Sequence, residues 1–203
     1  MQSQAERSSP DAHDSEHFVL PSLAPLVRVR LLAMDVDGVL TDGTLSVSSD
    51  GSEAKRFHVH DGLGIALLAQ INIQVAWVSG RVSAAVERRA QELGVGLNLQ
   101  GVKDKQTALE QLVHTTGVPA DAIAYIGDDW NDLGAFAAVG VKIAVANARP
   151  EVRDRADFVT IAEGGRGAVR EVCDALLDAR AMREQALDRY VAGLHTGPGL
   201  ARQ

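Results

Sequence analysis

From Val29 onward, short apolar runs alternate with stretches whose apolar residues recur at helical spacing. The run inside "RLLAMD" predicts a strand buried on both faces, because it has no polar alternation. In "TLSVSSDGSEAKRFHV", Leu45 and Val47 alternate with polar residues, and Asp50-Gly51 predicts a hairpin closed by a two-residue turn. "DGLGIALLAQ" starts a helix, with Asp61 placed to cap it. "INIQVAWVSG" is the next strand, followed by a helix from Val82 to Leu93 that Gly94 should stop. A short strand in "GLNLQ" leads to a helix from Asp104 to about Thr116, closed by Gly117.

"AIAYIGDD" predicts a further strand, then a short helix, then strands in "VKIAVAN" and "ADFVT". Near the end, Val169, Val172, Cys173, Leu176 and Leu177 fall on one helical face. Strands alternating with helices imply crossover connections. The fold class is therefore α/β: a Rossmann-like, mainly parallel sheet flanked by helices, with one small β-hairpin and no room for a cap domain. In such a sheet the ligand site lies at the carboxyl ends of the strands.

At 203 residues, with 46% apolar and 23% charged, the chain suits one globular domain. The body should span 28–180. A polar, Pro/Ser-rich extension over 1–27 should be disordered, and 181–203 should form a helical or flexible tail. The formal charge of −7 argues against a nucleic-acid partner, though not against an anionic small molecule. One cysteine, Cys173, excludes an internal disulfide and a Cys-rich zinc site, and its place on the apolar helix face makes it a packed residue. No apolar run nears the roughly 18 residues of a membrane span, and the first residues lack the pattern of a signal peptide. The expected location is the cytoplasm, with no membrane partner.

Three strand ends carry chemistry. "DVDG" places Asp35 and Asp37 on one side of an extended chain beside Gly38. That suits a carboxylate nucleophile and a general acid/base; the plainer alternative is a loop with an aspartate cap. "WVSGR" offers the Ser79 hydroxyl and the Gly80 N–H to a phosphoryl oxygen. "GDDWND" brings Asp128, Asp129 and Asp132, and Asp128 would share a Mg2+ with Asp35 on a neighbouring strand end. Lys105 at a helix start opposes the helix dipole and so calls for an anionic partner, with Lys103 as competitor.

An Asp-x-Asp, then a serine, then a lysine, then an acidic pair resembles the haloacid dehalogenase-like phosphohydrolases over about 31–177. "DGLGI" and "GGRGAVREVCDALL" narrow the resemblance to its capless branch, which dephosphorylates eight-carbon 2-keto sugar acid phosphates during lipopolysaccharide synthesis. The resemblance implies that Asp35 attacks phosphorus and Asp37 shuttles the proton, while Ser79 and Lys105 neutralise phosphoryl oxygens. Mg2+ would be held by the Asp35 carboxylate, the Asp37 backbone carbonyl and Asp128, with Asp129 or Asp132 in support. It also implies a homotetramer, and Arg81, Lys55, Arg56 and His60 as contacts for the sugar, with Arg166 reaching a neighbouring site. His60 stands where that branch usually has arginine, and His58 with His60 forms a pair that could instead bind zinc, line the pocket or face solvent. A nine-carbon (sialic or deaminated sialic) acid 9-phosphate is the alternative substrate. A non-catalytic oligomerisation domain is the alternative of another class.

Overall fold

A computed structural model describes residues 22–196. The expected N-terminal extension lies outside the described residues up to 21, and the end of the expected tail lies outside them from 197. In chain order, helix α1 (Ala24–Val27) precedes strand β1 (Leu31–Met34), and a hairpin of β2 (Ser46–Val47) and β3 (Glu53–Ala54) follows. Then come α2 (Val59–Ala69), β4 (Gln74–Val78), α3 (Ala84–Leu93), β5 (Leu97–Leu99), α4 (Lys105–Thr116) and β6 (Ile123–Gly127). The chain continues through α5 (Leu133–Ala137), β7 (Val141–Ala144), α6 (Pro150–Arg153), β8 (Phe158–Val159), α7 (Ala168–Ala179) and α8 (Arg183–Thr196).

Six strands form one parallel sheet in the order β5-β4-β1-β6-β7-β8. β1 lies between β4 and β6, and all four of its residues are buried, as its unbroken apolar run requires. After β1 the chain builds outward through β4 and β5, then returns to the other side of β1 for β6, β7 and β8. The direction reverses beside β1, so the crevice at the carboxyl ends of β1 and β6 is the topological switch point. α2 packs on α7 and α8, while α4 packs on α5.

Most elements lie where the hydrophobic pattern puts them, and the differences have local causes. The helix expected from Val82 begins at Ala84, and Gly94 and Gly117 terminate α3 and α4 in the left-handed conformation. The hairpin does not use a two-residue turn. Ser48 N–H donates to Ser52 O and Gly51 N–H to Ser48 O, which makes a three-residue loop with Gly51 at φ +81°. Residues 24–27, assigned to the disordered extension, form a helical turn with Leu26 buried against the core. α8 is anchored: Ala186 is fully buried and Arg189 donates to the Gln70 carbonyl at 2.6 Å.

Asp61 does not cap its own helix. It is the third residue of α2, and its carboxylate accepts the Arg170 N–H at 2.8 Å. It therefore satisfies the start of α7, whose own N-cap is Gly167 with no side chain to offer. Among the described residues no helix is long and apolar enough to cross a membrane.

Candidate active site

β1 ends at Met34, paired with Trp77 on β4 and Ile126 on β6, so the residues just past these three strands converge. Asp35 continues the ladder by donating its N–H to the Ile126 carbonyl at 3.0 Å. Its carboxylate accepts the Val36 N–H at 2.6 Å and pairs with Lys105 Nζ at 2.8 Å. Lys105 is the first residue of α4, and Asp104 caps that helix by accepting the Gln106 and Thr107 N–H groups. The Lys105 ammonium also donates to Asp132 at 2.6 Å, and all three side chains are buried. Lys103, the competing lysine, is exposed.

Asp132 is the fully buried hub of the cluster. Its Oδ1 accepts from Lys105 and from the Tyr125 hydroxyl at 2.7 Å; its Oδ2 accepts the N–H groups of Asp128 at 2.9 Å and Asp129 at 3.2 Å. Four donors occupy both oxygens, so Asp132 shapes the acidic loop. Gly127 permits this, because a Cβ there would meet the Asp132 Cβ at 2.5 Å. Gly38, at φ +94°, likewise makes room for Asp128, whose Oδ2 would lie 2.1 Å from any Cβ at that position.

Carboxylate crowding shows in proton affinity. Burial, then Asp132, pushes Asp35 up to about 6 despite the opposing pull of Lys105. Burial, then Asp132 and Asp35, pushes Asp128 up to about 8. Burial alone would lower the Lys105 ammonium, but the two carboxylates outweigh it and raise it. Burial and the adjacent Asp132 also raise the Tyr125 hydroxyl, which stays a donor. Asp35, Asp128 and Asp132 each offer an oxygen within 4.8 Å of the others, and Asp128 Oδ1 is buried without a hydrogen-bond partner. An orphaned oxygen among mutually repelling carboxylates is what a hard divalent cation would satisfy. The donors fit Mg2+, with Asp35 and Asp128 supplying the oxygens.

Asp37 sits in a second ionic cluster. Its Oδ1 accepts from Lys55, whose ammonium also pairs with Glu53 at 3.0 Å. Glu53 pairs in turn with Arg81 at 2.8 Å, and Arg81 Nε lies 4.0 Å from Asp37 Oδ2. Lys55 was expected to contact substrate, yet its side chain is only 1% exposed and is held by two carboxylates. That removes it from the sugar-binding set. Ser79 is buried past the end of β4 and accepts the Arg81 N–H at 3.2 Å, while Gly80 is exposed beside it.

The other expected sugar contacts lie further out. Arg56 is exposed and pairs with Asp42 at 3.1 Å; Arg166 is exposed and pairs with Glu163 at 3.3 Å. Both line one cavity of about 340 Å³ with Asp42, Phe57, His58 and Gly165. Arg166 thus borders a cavity of its own subunit. His60 is exposed, and its ring meets His58 edge-on at 4.9 Å. Among the described residues, the one group of three or more metal-ligating side chains is the aspartate trio, and the histidine pair is not part of it. Asp129 is exposed and accepts the Trp130 N–H at 2.7 Å. Cys173 is wholly buried, as expected.

Sequence reasoning missed Tyr125, Glu53 and the glycine pair Gly164-Gly165. Tyr125 had one signal: a hydroxyl inside an apolar strand needs a buried partner. The glycines clamp the loop after β1. A Cβ on Gly164 would stand 1.7 Å from the Gly38 carbonyl oxygen, and Gly165 donates its N–H to Val39 O at 2.8 Å.

A family model described as haloacid dehalogenase-like hydrolase matches residues 99–170. The 3-deoxy-D-manno-octulosonate 8-phosphate phosphatase of Haemophilus influenzae is 46% identical over 155 residues, covering 76% of this chain and 86% of that protein. A solved phosphatase of the same name from Moraxella catarrhalis, in complex with magnesium ion, phosphate ion and the octulosonate sugar, superposes with TM-score 0.80. It is 42% identical and covers 83% of this chain and 97% of that one. A hydrolase of the same superfamily from Legionella pneumophila reaches TM-score 0.82 at 43% identity, over 84% of this chain and 93% of that one.

Proposed function

The chain belongs to the haloacid dehalogenase-like hydrolases, in the family of its 3-deoxy-D-manno-octulosonate 8-phosphate phosphatase relatives, and on that premise we propose that it removes phosphate from this eight-carbon sugar acid phosphate. It is a phosphoric monoester hydrolase, and its cofactor is Mg2+. The observation that carries the reading is the strand-end arrangement of Asp35, held by Lys105 at 2.8 Å, within 4.8 Å of an Asp128 whose Oδ1 lacks a partner.

Asp35 attacks phosphorus, the bond from phosphorus to the sugar oxygen breaks, and Asp37 delivers a proton to that oxygen. Asp37 then takes a proton from the water that attacks the aspartyl-phosphate, which releases phosphate and restores Asp35. Lys105 and the Ser79 hydroxyl, with the Gly80 N–H, counter charge on the transferring oxygens. Mg2+, when bound by Asp35, the Asp37 backbone carbonyl and Asp128, supplies further charge neutralisation. Arg81, half-exposed beside Asp37, is the nearest cation for the sugar carboxylate, with Arg56, His60 and Arg166 further out.

The catalytic body comprises 28–180 with the helical turn at 24–27 and α8 packed onto it, and the reaction takes place in the cytoplasm, where lipopolysaccharide precursors are made. The working form is a homotetramer. Leu45 and Val47 support it, standing 50% and 65% exposed on the hairpin beside a site that has no cap domain among the described residues. Light scattering should give four copies; a monomer would remove the tetramer from the proposal.

Phosphate release from eight-carbon and nine-carbon keto acid phosphates, with and without Mg2+, tests the function. The eight-carbon substrate should be turned over fastest, and only with metal. Preference for the nine-carbon acid would reassign the substrate. No turnover of any phosphate monoester would leave an assembly role.

A further inference from the structure

The hairpin is short for an element in such a place, with strands of two residues each and both apolar tips exposed. It nevertheless carries Lys55, whose side chain is almost completely buried against Asp37 and Glu53. Burying an ammonium costs several kcal/mol unless its charge is matched, so an apolar residue would be the cheaper way to pin a hairpin to a domain. The chain instead runs ion pairs from Asp37 through Lys55 and Glu53 to Arg81, joining the loop after β1, the hairpin and the loop after β4.

The two oxygens of Asp37 have different surroundings. Oδ1 accepts from Lys55, whereas Oδ2 is buried without a hydrogen-bond partner, with the half-exposed Arg81 side chain, Nε at 4.0 Å, as the group that substrate would displace to reach it. A carboxylate that turns freely can present either oxygen to the substrate. One whose first oxygen is fixed by a buried cation presents the second in a constant direction.

We propose that Lys55 is the positioning residue of Asp37: it holds Oδ1, so that Oδ2 is the oxygen that exchanges protons with the sugar oxygen and the attacking water. Glu53 holds Lys55 in turn and ties Arg81 to the same frame. The hairpin is thus a working part of the active site, supplied from within the same subunit. This inference rests on the phosphatase reading above.

The test uses the leaving group. The ratio kcat/KM reports events up to departure of the alcohol, the step in which Asp37 acts as acid. A sugar phosphate needs that proton, whereas p-nitrophenyl phosphate has a leaving group stable as an anion. With Mg2+ saturating, Lys55→Met should lower kcat/KM for the sugar phosphate by about 10–100-fold, the scale of a misplaced catalytic group. The aryl phosphate should change by less than about threefold. Lys55→Arg, which keeps the charge and the donors, should recover most of the loss. Glu53→Gln, at a more exposed position, should show the same selectivity at smaller amplitude, which keeps the test alive if Lys55→Met does not fold. Equal losses on both substrates, or no loss on either, would overturn the positioning role. A wild-type chain inactive on both substrates would instead overturn the phosphatase reading.

Discussion

Asp132 should be the most costly single carboxylate to remove, although it touches no substrate in the mechanism. It is fully buried and accepts from four donors: Lys105 at 2.6 Å, the Tyr125 hydroxyl at 2.7 Å, and the N–H groups of Asp128 and Asp129. Asp132→Ala leaves the buried ammonium with Asp35 as its remaining partner and strands the Tyr125 hydroxyl. Breaking a buried ion pair by deleting one partner costs about 3–5 kcal/mol. For a domain of this size each kcal/mol is roughly 2–4 °C, so the melting temperature should fall by roughly 6–20 °C. Asp132→Asn keeps the shape but cannot keep the bonding. Its oxygen can face Lys105 and Tyr125 or the two backbone N–H groups, and its amide then points donors at donors on the other side. It should lose a large part of the same stability. Urea unfolding with an unchanged m-value measures the cost, and Mg2+ titration measures the displacement of Asp128 that should accompany it. Asp132→Asn unfolding within about 0.5 kcal/mol of wild type, the scatter of ordinary surface changes, would refute this account of the hub.

Asp35→Asn should reduce phosphate release by several orders of magnitude while leaving the chain folded, as seen by circular dichroism and light scattering; full activity would remove Asp35 as nucleophile. Gly164→Ala, whose Cβ would meet the Gly38 carbonyl oxygen at 1.7 Å, should cost at least about 1–3 kcal/mol and lower kcat by shifting the loop that holds Asp37. Thermal unfolding and steady-state kinetics check both effects together. Without Mg2+, Asp35 and Asp128 hold protons to about 6 and about 8 in the folded chain, against 3.8 ordinarily. The unfolded chain therefore ionises first, and these groups make stability fall as pH rises from about 4 to about 8. Mg2+ favours the ionised carboxylates, so its gain in melting temperature should grow between about pH 5 and pH 8; a gain that ignores pH would contradict this.

What the sequence made legible follows from how local each signal is. Asp35, Asp37 and Asp128 stand out because apolar strand runs end abruptly in acids, and strand ends of a parallel sheet converge whatever the rest of the chain does. Lys105 was legible because a cation at a helix start is locally unfavourable and needs an outside reason. Lys55 was misplaced for the opposite reason. Its neighbours, Lys-Arg at the end of a polar hairpin, look like a solvated pair, and only the path of the hairpin buries one and exposes the other. Asp61 and Gly164 fail similarly: each acts on a segment more than a hundred residues away, the start of α7 and the loop after β1. A sequence shows that Asp61 can cap something and that Gly164 avoids something, without naming either partner.

The two buried lysines organise the site in the same way. Lys105 joins Asp35 to Asp132, and Lys55 joins Asp37 to Glu53, so Asp35 and Asp37 are each held by a cation that a second acid holds in turn. With Arg81 on Glu53, three cations face Asp35, Asp37, Glu53, Asp128 and Asp132. If all five acids ionise, two negative charges remain unmatched. Asp128 is the carboxylate with no basic partner of its own, and it is also the one pushed furthest up, to about 8. One divalent cation beside Asp128 and Asp35 supplies the missing charge where the protein has withheld it. The protein's own cations are therefore spent on fixing Asp35 and Asp37, the proposed nucleophile and proton shuttle, in place. Asp128, which no lysine holds, is where the charge of a metal is still needed.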